Sequence, residues 1–210
     1  MVEKTPKTTE QTLTCAHPNG QQFDNEHMDL EQQRDLLATR LRNGDRSAAA
    51  KLVDMYYKQI YLFMRRLGHD EQTSEDLTQE SFLNAWYHIG QLRDGKALNS
   101  WLYRIAVNVS KLYWRKHRGR EAKKIENLEV PAGDETGLDT VGQIEQIEQL
   151  RALVEKLPIK LRQAVVLHYL QHLTIAEAAA AAGLRQGTFK SRLNRALSTL
   201  RREMTEKPAD

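Results

Sequence analysis

The stretch TIAEAAAAAGLRQGTFKSRLNRALSTLRRE, residues 174–203, decides the fold of the C-terminal part of the chain. Thr174 and Glu177 have the spacing of a capping box, in which the threonine hydroxyl accepts from the Glu177 amide and the carboxylate reaches back. Gly183 follows the alanine run and permits the positive φ that a tight turn requires. The stretch therefore predicts two helices joined by a turn, which is a helix-turn-helix unit.

The second of these helices has two different faces. One face is apolar and carries Phe189, Leu193, Ala196 or Leu197, and Leu200. The opposite face carries Lys190, Ser191, Asn194, Arg195, Ser198, Arg201 and Arg202. Such a helix can enter the major groove, where Arg and Lys donate to guanine and Asn pairs with adenine. Because solvated basic faces are common, the pattern alone leaves a simple bundle helix open as the alternative.

Helical periodicity also dominates upstream, where apolar residues recur every three or four positions. The clearest stripe is Ala48, Leu52, Met55, Tyr56, Ile60, Phe63 and Leu67. Phe82, Trp86 and Ile89 form the inward side of a third helix, and Leu98, Trp101, Leu102, Ile105, Val109 and Leu112 that of a fourth. The predicted helices cover about 30–42, 47–67, 74–89, 98–118, 141–157, 160–170, 174–182 and 187–204. This order predicts an all-α chain.

Composition limits the classes of protein that remain possible. Of 210 residues, 40% are hydrophobic and 28% are charged, with only 11 glycines and 5 prolines, which favours helices over a sheet sandwich. The single cysteine, Cys15, excludes an internal disulfide. No stretch reaches the ~18 apolar residues of a membrane helix, and the N-terminus lacks a signal-peptide core. We therefore expect a cytoplasmic protein, and Cys15, His17 and His27 are too few and too widely spaced for a structural metal site.

Charge is distributed in three blocks. Residues 96–124 contain nine Lys or Arg and one acidic residue, Glu121. Residues 126–148 contain seven acidic residues and no Lys or Arg, and residues 184–202 contain six Lys or Arg and no acid. Two basic blocks separated by an acidic one indicate two contacts with anionic surfaces. The segment VPAGDETG within the acidic block has the composition of a linker.

The fourth helix has a basic stripe opposite its apolar side. Arg104, Asn108, Lys111, Arg115 and Arg118 are spaced four, three, four and three apart, which places them on one face. Tyr113, Trp114 and His117 lie between the charges. Cations with aromatic rings suit a nucleic-acid backbone whose bases are unstacked. The alternative is a solvated face on which Trp114 is merely packed.

The third helix carries an acidic, partly apolar patch. In SEDLTQESF, residues 74–82, the side chains of Asp76, Gln79 and Glu80, with Leu83 just beyond, share one side of the helix. That side is separate from the inward-facing aromatic side. Helical geometry alone identifies the patch but no partner for it.

Four motifs in this order resemble a known family. SEDLTQESFLNAW, SWLYRIAVNVSKLYWRKHR, LPIKLRQAVVLHYLQHLT and GTFKSRLNRALSTLRRE, with the acidic segment between the second and third, look like the extracytoplasmic-function sigma factors of bacterial RNA polymerase, in the sigma-70 superfamily. The resemblance covers about residues 31–203. It implies two helical domains, sigma region 2 at 29–120 and region 4 with the helix-turn-helix at 141–204, joined by an acidic linker at 121–140. Residues 1–28 are then a flexible extension and 205–210 a tail.

The resemblance also implies roles for individual residues. Asp76, Gln79 and Glu80 match the surface for the clamp helices of the polymerase's largest subunit. Residues 93–99 match the loop that captures a flipped base of the −10 element. The expected −10 contacts are Asn99, Ser100, Asn108, Lys111 and Arg115, and the expected −35 contacts are Lys190, Ser191, Asn194 and Arg195.

The implied function is promoter recognition and melting without catalysis by the chain itself. The expected partners are core RNA polymerase, through its clamp helices and flap, promoter DNA, and an anti-sigma factor. The linker would thread the RNA-exit channel. The sequence contains no phosphate-cradling glycine loop and no catalytic or metal constellation, so we expect no enzyme activity, cofactor or small-molecule substrate.

Some residues depart from the family pattern. Leu112 stands where an aspartate is common, and Arg185 replaces a helix-starting Ser or Pro. Ala178 stands where a large aliphatic residue usually packs, and Phe189 stands where valine is usual. We hypothesise that the last two compensate, because cores tolerate exchanges that conserve volume.

Three other classes of function compete with this interpretation. A stand-alone helix-turn-helix regulator would bind duplex DNA as a dimer without the polymerase. It leaves the acidic linker and the Asp76 patch unexplained. A nucleic-acid-modifying enzyme would need paired carboxylates or metal ligands, and none is evident. A pure protein-interaction module would not explain the basic stripe with its aromatic residues.

Overall fold

The computed structural model describes residues 32–117 and 141–206, and both ranges are helical without a strand. We refer to them as the N-terminal and the C-terminal module. The N-terminal module contains α1 (32–42), α2 (Arg46–Arg66), α3 (Glu71–His88), the 3₁₀ turns Ile89–Gln91 and Gly95–Ala97, and α4 (Leu98–His117). The C-terminal module contains α5 (Val141–Lys156), α6 (Ile159–Val165), a π-helical turn (Val166–Leu170), α7 (Ile175–Ala182) and α8 (Gln186–Glu206). The all-α prediction is confirmed.

The helix bounds agree with the predicted ones to within a few residues, with one exception. The helix predicted over 160–170 is α-helical only to Val165 and then widens into the π turn. The first two carbonyl groups of this turn, those of Val166 and Leu167, accept hydrogen bonds from the Gln171 and Leu173 amides. The predicted extension 1–28 and the predicted linker 121–140 lie outside the described residues, as do Cys15, His17 and His27.

Side chains at the helix ends explain why the helices begin and end where they do. Asp45 accepts hydrogen bonds from the Ser47 and Ala48 amides at the start of α2, and its bonds from Ser47 and Arg40 lower its pKa to about 2. At the start of α7 the predicted capping box is present between Thr174 and Glu177. Gly183 ends that helix with φ of 69°.

The core of the N-terminal module lies between α2, α3 and α4. The predicted stripe of α2 is buried except for the half-buried Met55, with Ile60 and Phe63 fully inaccessible. In α3 the aromatic side is only half-buried, and the deepest positions are small, including Ser74, Thr78 and Ser81. The hydroxyls of Thr78 and Ser81 donate to the carbonyl four residues earlier, at 2.7 Å each. The Ser74 hydroxyl donates to the His69 carbonyl just before α3, so all three buried hydroxyls have a partner, and their small size lets α3 approach its neighbours closely.

Helix α4 is buried on two sides, which corrects one prediction. Leu112 was expected to face inward, but its side chain is 49% exposed. Tyr103, Ala106, Val107 and Ser110 are buried instead. Ser110 lies against His69 and Tyr103 against Phe63 of the same module, and α7 of the C-terminal module packs against α4 as well. The buried residues of the two modules form one continuous cluster. Within the described ranges, no helix is both long and apolar enough to cross a membrane.

Candidate nucleic-acid interface

The helix-turn-helix presents its predicted reading face to solvent. Lys190, Ser191, Asn194 and Arg195 are all exposed on α8. The opposite side of the helix is anchored in the core, with Phe189 and Ala196 completely buried and Leu193 and Leu200 nearly so. The Ser191 hydroxyl donates to the Gly187 carbonyl at 3.0 Å, so its oxygen remains available as an acceptor. The structure thus brings these four residues together on one accessible surface.

The turn fixes how α8 leaves α7. The Gly183 amide donates to the Ala180 carbonyl at 3.1 Å, and the Leu184 amide donates to the Ala179 carbonyl at 2.9 Å. These two bonds satisfy carbonyl groups that the end of α7 would otherwise leave open. The turn thus sets the direction of α8, and with it the predicted reading face, relative to α7.

The basic stripe of α4 is present where the sequence predicts it. Arg104, Asn108, Lys111 and Arg115 are exposed on one face, while Arg118 lies outside the described residues. Lys111 is not fully free, because its Nζ donates to the Ala182 carbonyl of the C-terminal module at 3.0 Å. Partial burial lowers the pKa of Lys111, and the neighbouring Arg192 and Arg104 charges lower it further.

The loop before α4 is held by α1, which sequence reasoning did not anticipate. The Gly95 amide donates to Asp35 Oδ1 at 3.2 Å, and Arg42 donates to the carbonyls of Leu92 and Arg93. A Cβ atom at Gly95 would collide with the backbone and side chain of Asp35. The contacts join residues at least 50 positions apart, so no local pattern indicates them.

The two predicted contacts at the start of α4 are less accessible than the stripe. Ser100 is buried and donates to the Ala97 carbonyl at 3.1 Å. Asn99 is half-buried, and its Oδ1 is shielded from solvent without a hydrogen-bond partner. The structure therefore groups Asn108, Lys111 and Arg115 on one exposed surface but separates Ser100 from it.

The aromatic residues near the end of α4 pack against a buried histidine. The rings of His69 and Trp114 are stacked with centroids 4.9 Å apart, and Tyr113 meets His69 edge-on at 5.1 Å. His69 Nε2 lies 2.8 Å from Ser110 Oγ. Burial is the main cause that lowers the pKa of His69 to about 4, and the Arg162 charge adds to the effect. Trp114 is thus packed, which favours the structural alternative for this residue.

A cavity of about 420 Å³ lies between the C-terminal part of α3 and α4. Asn84 and His88 line it from α3, and Trp101, Asn108 and Leu112 line it from α4. The exposed Leu112 thus contributes to the wall of a groove beside the basic stripe. Amide, aromatic and cationic groups therefore meet at one place on the surface.

The acidic patch of α3 is a separate surface. Asp76, Gln79 and Glu80 are exposed, and Leu83 beside them is 58% exposed, as the pattern predicts. Tyr57 of α2 was missed, although its ring stacks against Phe82 with centroids 6.4 Å apart. No one-helix pattern could reveal it, because the pair joins two helices.

The sequence matches two families of known function. Residues 52–120 match Sigma-70 region 2, and residues 147–200 match Sigma-70, region 4. The ECF RNA polymerase sigma factor SigM of Mycobacterium tuberculosis is 30% identical over 159 residues, which cover 76% of this chain and 78% of that protein. The chain belongs to the extracytoplasmic-function sigma factors. A further member, SigW of Bacillus subtilis, is 29% identical to this sigma factor over 175 residues, which cover 79% of this chain and 94% of SigW.

Solved structures show the same fold as this sigma factor. CnrH, in complex with the cytosolic domain of CnrY, superposes with a TM-score of 0.62 at 20% identity, over 83% of this chain and 99% of CnrH. RpoE of Bartonella quintana, in complex with the anti-sigma factor NepR, gives a TM-score of 0.59 at 21% identity, over 76% of this chain and 98% of RpoE. The predicted fold of two helical sigma regions is thereby confirmed.

Proposed function

We propose that this sigma factor reads the −35 element with α8, holds the −10 strand with α4 and the loop before it, and binds core RNA polymerase through α3. The observation that carries the proposal is the exposed face of Lys190, Ser191, Asn194 and Arg195 on a helix whose opposite face is fully anchored. An anchored helix with this face can enter the major groove as a rigid body. A dimeric stand-alone regulator is not favoured, because it gives the sigma region 2 match no role.

The −10 assignment rests on the basic stripe of α4. Asn108, Lys111 and Arg115 can bind phosphates along the strand, and the neighbouring cavity has the amide and aromatic groups that an unstacked base requires. Asn99 and Ser100 would contribute only if the loop before α4 shifts to expose them. Binding free energy, rather than hydrolysis of a nucleotide, would offset the cost of extruding a base, which is a few kcal/mol.

The polymerase assignment rests on the acidic patch of α3. Asp76, Gln79 and Glu80 provide carboxylate and amide groups beside the apolar Leu83, a combination suited to a helical partner with basic and apolar side chains. An anti-sigma factor would be a second partner, since CnrH and RpoE were each solved with another protein bound. The chain would act as a non-catalytic subunit in the cytoplasm, with domains at 29–120 and 141–204 and the segment 121–140 in the RNA-exit channel.

The first experiment is a mobility shift with permanganate footprinting on a candidate promoter, with and without core polymerase. We expect the chain to shift and melt the promoter only when core is present. Tight duplex binding by the chain alone as a dimer, with no effect of core, would contradict the proposal.

Two substitutions then separate the surfaces. Arg195→Ala should weaken promoter binding by the holoenzyme about tenfold or more, since a base contact contributes about 1–3 kcal/mol, and should leave core binding unchanged. Asp76→Asn should weaken core binding and leave promoter binding by the assembled holoenzyme unchanged. Lys51→Ala and Asp54→Asn, at exposed positions of α2, are the matched controls for lost charge. Equal effects of Arg195→Ala and Lys51→Ala on promoter binding would contradict the −35 assignment.

A further inference from the structure

The loop between α3 and α4 is anchored at both ends and at one point between them. Leu92 and Leu98 are buried, and they fix where the loop begins and where it enters α4. Gly95 is the one buried residue between these leucines. The exposed residues of the loop are charged: Arg93, Asp94 and Lys96. The loop, residues 92–97, therefore presents charged side chains on a backbone that is held from behind.

Polar residues of α1 hold the backbone of this loop. Asp35 and Arg42 are seven positions apart, which is about two helical turns and places them on one side of the helix. The Gly95 amide donates to Asp35 Oδ1 at 3.2 Å. Arg42 Nη1 donates at 3.3 and 3.1 Å to two successive carbonyl groups, those of Leu92 and Arg93. All three bonds end on backbone atoms of the loop, so they fix its shape and leave its side chains to other partners.

Thr39 lies between these two residues on the same side of α1 and braces the arginine. Its hydroxyl accepts from Arg42 Nη2 at 3.1 Å and donates to the Asp35 carbonyl at 3.0 Å. Another side of α1 is anchored in the core by three residues that are each at most 3% exposed: Leu37, Ala38 and Leu41. The position of α1 is thus set by the core, and the polar row transmits it to the loop.

Gly95 is required because two backbones approach closely at this point. A Cβ atom at Gly95 would collide with the Cα atom and the side chain of Asp35. Its φ is not positive, so the need for glycine is steric and not conformational. The 3₁₀ turn Gly95–Ala97 runs directly into α4, so the same contact also sets where α4 begins. Helix α1 precedes residues 52–120, and the match of those residues to Sigma-70 region 2 assigns it no role.

A loop distinguishes one captured base from another only as well as it keeps its shape. A flexible loop repacks around a wrong base, whereas a fixed loop leaves the wrong base beside unpaired polar groups. A loop that is already held in place also loses less conformational entropy when the base binds. Bonds from α1 to the loop backbone therefore act on binding without contact between α1 and DNA.

We propose that Asp35 and Arg42 are positioning residues for the −10 strand, because they hold the loop 92–97 in the shape that receives an unstacked base. The inference rests on the proposed function, since it takes this loop as the element that captures the base. The two residues then determine how sharply the sigma factor distinguishes the four bases at the captured position. Neither residue needs to touch the DNA.

The test measures base preference in the holoenzyme, which is the full chain assembled with core RNA polymerase. The probes are single strands with the −10 sequence of the candidate promoter, in which each position is replaced in turn by the other three bases. Fluorescence anisotropy gives the affinity for each strand. The variants are Asp35→Ala, Arg42→Ala and, from the side of the loop, Gly95→Ala. The matched controls are Asp35→Asn, which keeps an acceptor oxygen, and Gln32→Ala, at an exposed position of α1.

We expect Asp35→Ala and Arg42→Ala each to reduce the preference for the correct base about fivefold, the factor that one hydrogen bond typically contributes. The loss should fall on a single position of the strand, the same one in both variants, and the other positions should keep their preferences. Gly95→Ala should affect that position at least as strongly. Asp35→Asn should retain most of the preference, and Gln32→Ala should match the parent chain.

A purely structural role of α1 gives a different result. It would lower the melting temperature of the chain and weaken the binding of all strands by one common factor. The preference between bases would then be unchanged at every position. If Asp35→Ala and Arg42→Ala behave in this way, or if they match Gln32→Ala, the inference is wrong.

Photocrosslinking separates this failure from a failure of the proposed function. We expect p-benzoylphenylalanine in place of Lys96, an exposed residue of the loop, to crosslink to the −10 strand, and the same group in place of Lys51 on α2 not to do so. A crosslink from position 96 with unchanged base preference in the α1 variants overturns the positioning role and leaves the proposed function standing. Absence of that crosslink means that the loop does not receive the strand, and the −10 assignment of the loop then fails together with the inference.

Discussion

Phe189 and Ala178 illustrate how two unusual residues fit one core. Both side chains are completely inaccessible, and they belong to the packed pair α7 and α8. The burial agrees with the hypothesis that a large residue on one helix fills volume that a small residue on the other leaves open. The hypothesis itself remains a prediction until substitutions test it.

We predict that Phe189→Val destabilises the chain by about 1–3 kcal/mol, because it leaves a cavity in a closed core. Adding Ala178→Leu to this variant should recover part of the loss. Urea unfolding measures both effects, with Tyr87→Val at a 76% exposed position as the control. An unchanged unfolding midpoint in Phe189→Val would show that the two residues do not compensate.

His69 gives the stability a specific dependence on pH. Its folded pKa of about 4 lies below the ordinary value of 6.5, so the unfolded chain binds more protons between these two values. Stability should therefore fall as the pH decreases from 6.5 toward 4, by up to about 1.4 kcal/mol per pH unit. We predict that His69→Gln flattens this slope in thermal melts, whereas His88→Gln, at an exposed position of α3, leaves it intact. If stability depends on pH with the same slope in the parent chain, His69→Gln and His88→Gln, the prediction is wrong.

Individual exposures were the least predictable property. Leu112 is exposed although its spacing predicted burial, and Ser100 is buried although it was expected to contact DNA. Both outcomes follow from neighbours that the helix pattern does not contain. The position of α7 decides which sides of α4 are covered, and the Ala97 carbonyl takes up the Ser100 hydroxyl.

At the scale of the element, the helices and their ends follow from local chemistry. The capping box of α7 was predicted from four residues, and both of its hydrogen bonds are present. The glycine turn behind it also has the expected positive φ. These features depend only on residues within one or two helical turns, which is why the sequence is sufficient to identify them.

We predict that Thr174→Ala costs about 1 kcal/mol, because it removes the acceptor for the Glu177 amide at the start of α7. Thr199→Ala is the matched control, since the Thr199 hydroxyl bonds only to a carbonyl within its own helix. Denaturant unfolding measures the difference. Equal stability of the two variants would indicate that the capping box contributes nothing in this chain.

The π turn and the small polar side of α3 were beyond local reasoning. A π turn needs only one extra residue in a helical turn, and no residue type specifies it. The buried hydroxyls of Ser74, Thr78 and Ser81 look like surface residues by composition. Close packing of α3 against its neighbours decides their position. Hydrogen bonds to carbonyl groups of α3, and for Ser74 to the His69 carbonyl just before it, make the burial tolerable.

At the scale of the whole molecule, the two modules share one hydrophobic cluster. Unfolding one module exposes the side of the other that it covers. In the described ranges this applies above all to α4, whose Tyr103, Ala106 and Val107 are buried. A shared core implies that the modules stabilise each other.

We predict one cooperative unfolding transition for the free chain. All three tryptophans, Trp86, Trp101 and Trp114, lie in the N-terminal module, so tryptophan fluorescence reports on that module alone. Phe189→Val lies in the C-terminal module. It should lower the unfolding midpoint followed by tryptophan fluorescence as much as the unfolding midpoint followed by circular dichroism. A fluorescence midpoint that does not move would show that the modules unfold independently.

The sequence by itself determined the helices, the capping box and glycine turn of the helix-turn-helix, the basic stripe and the family. These properties are carried by residue type and by spacings of three and four, which a helix converts directly into faces. Only the tertiary structure decided that α7 packs over α4 and that α1 holds the loop around Gly95. It also decided that Lys111 donates a hydrogen bond to the Ala182 carbonyl. Each of these contacts joins residues at least 50 positions apart, and its free energy depends on shape and on competing contacts that no local pattern records.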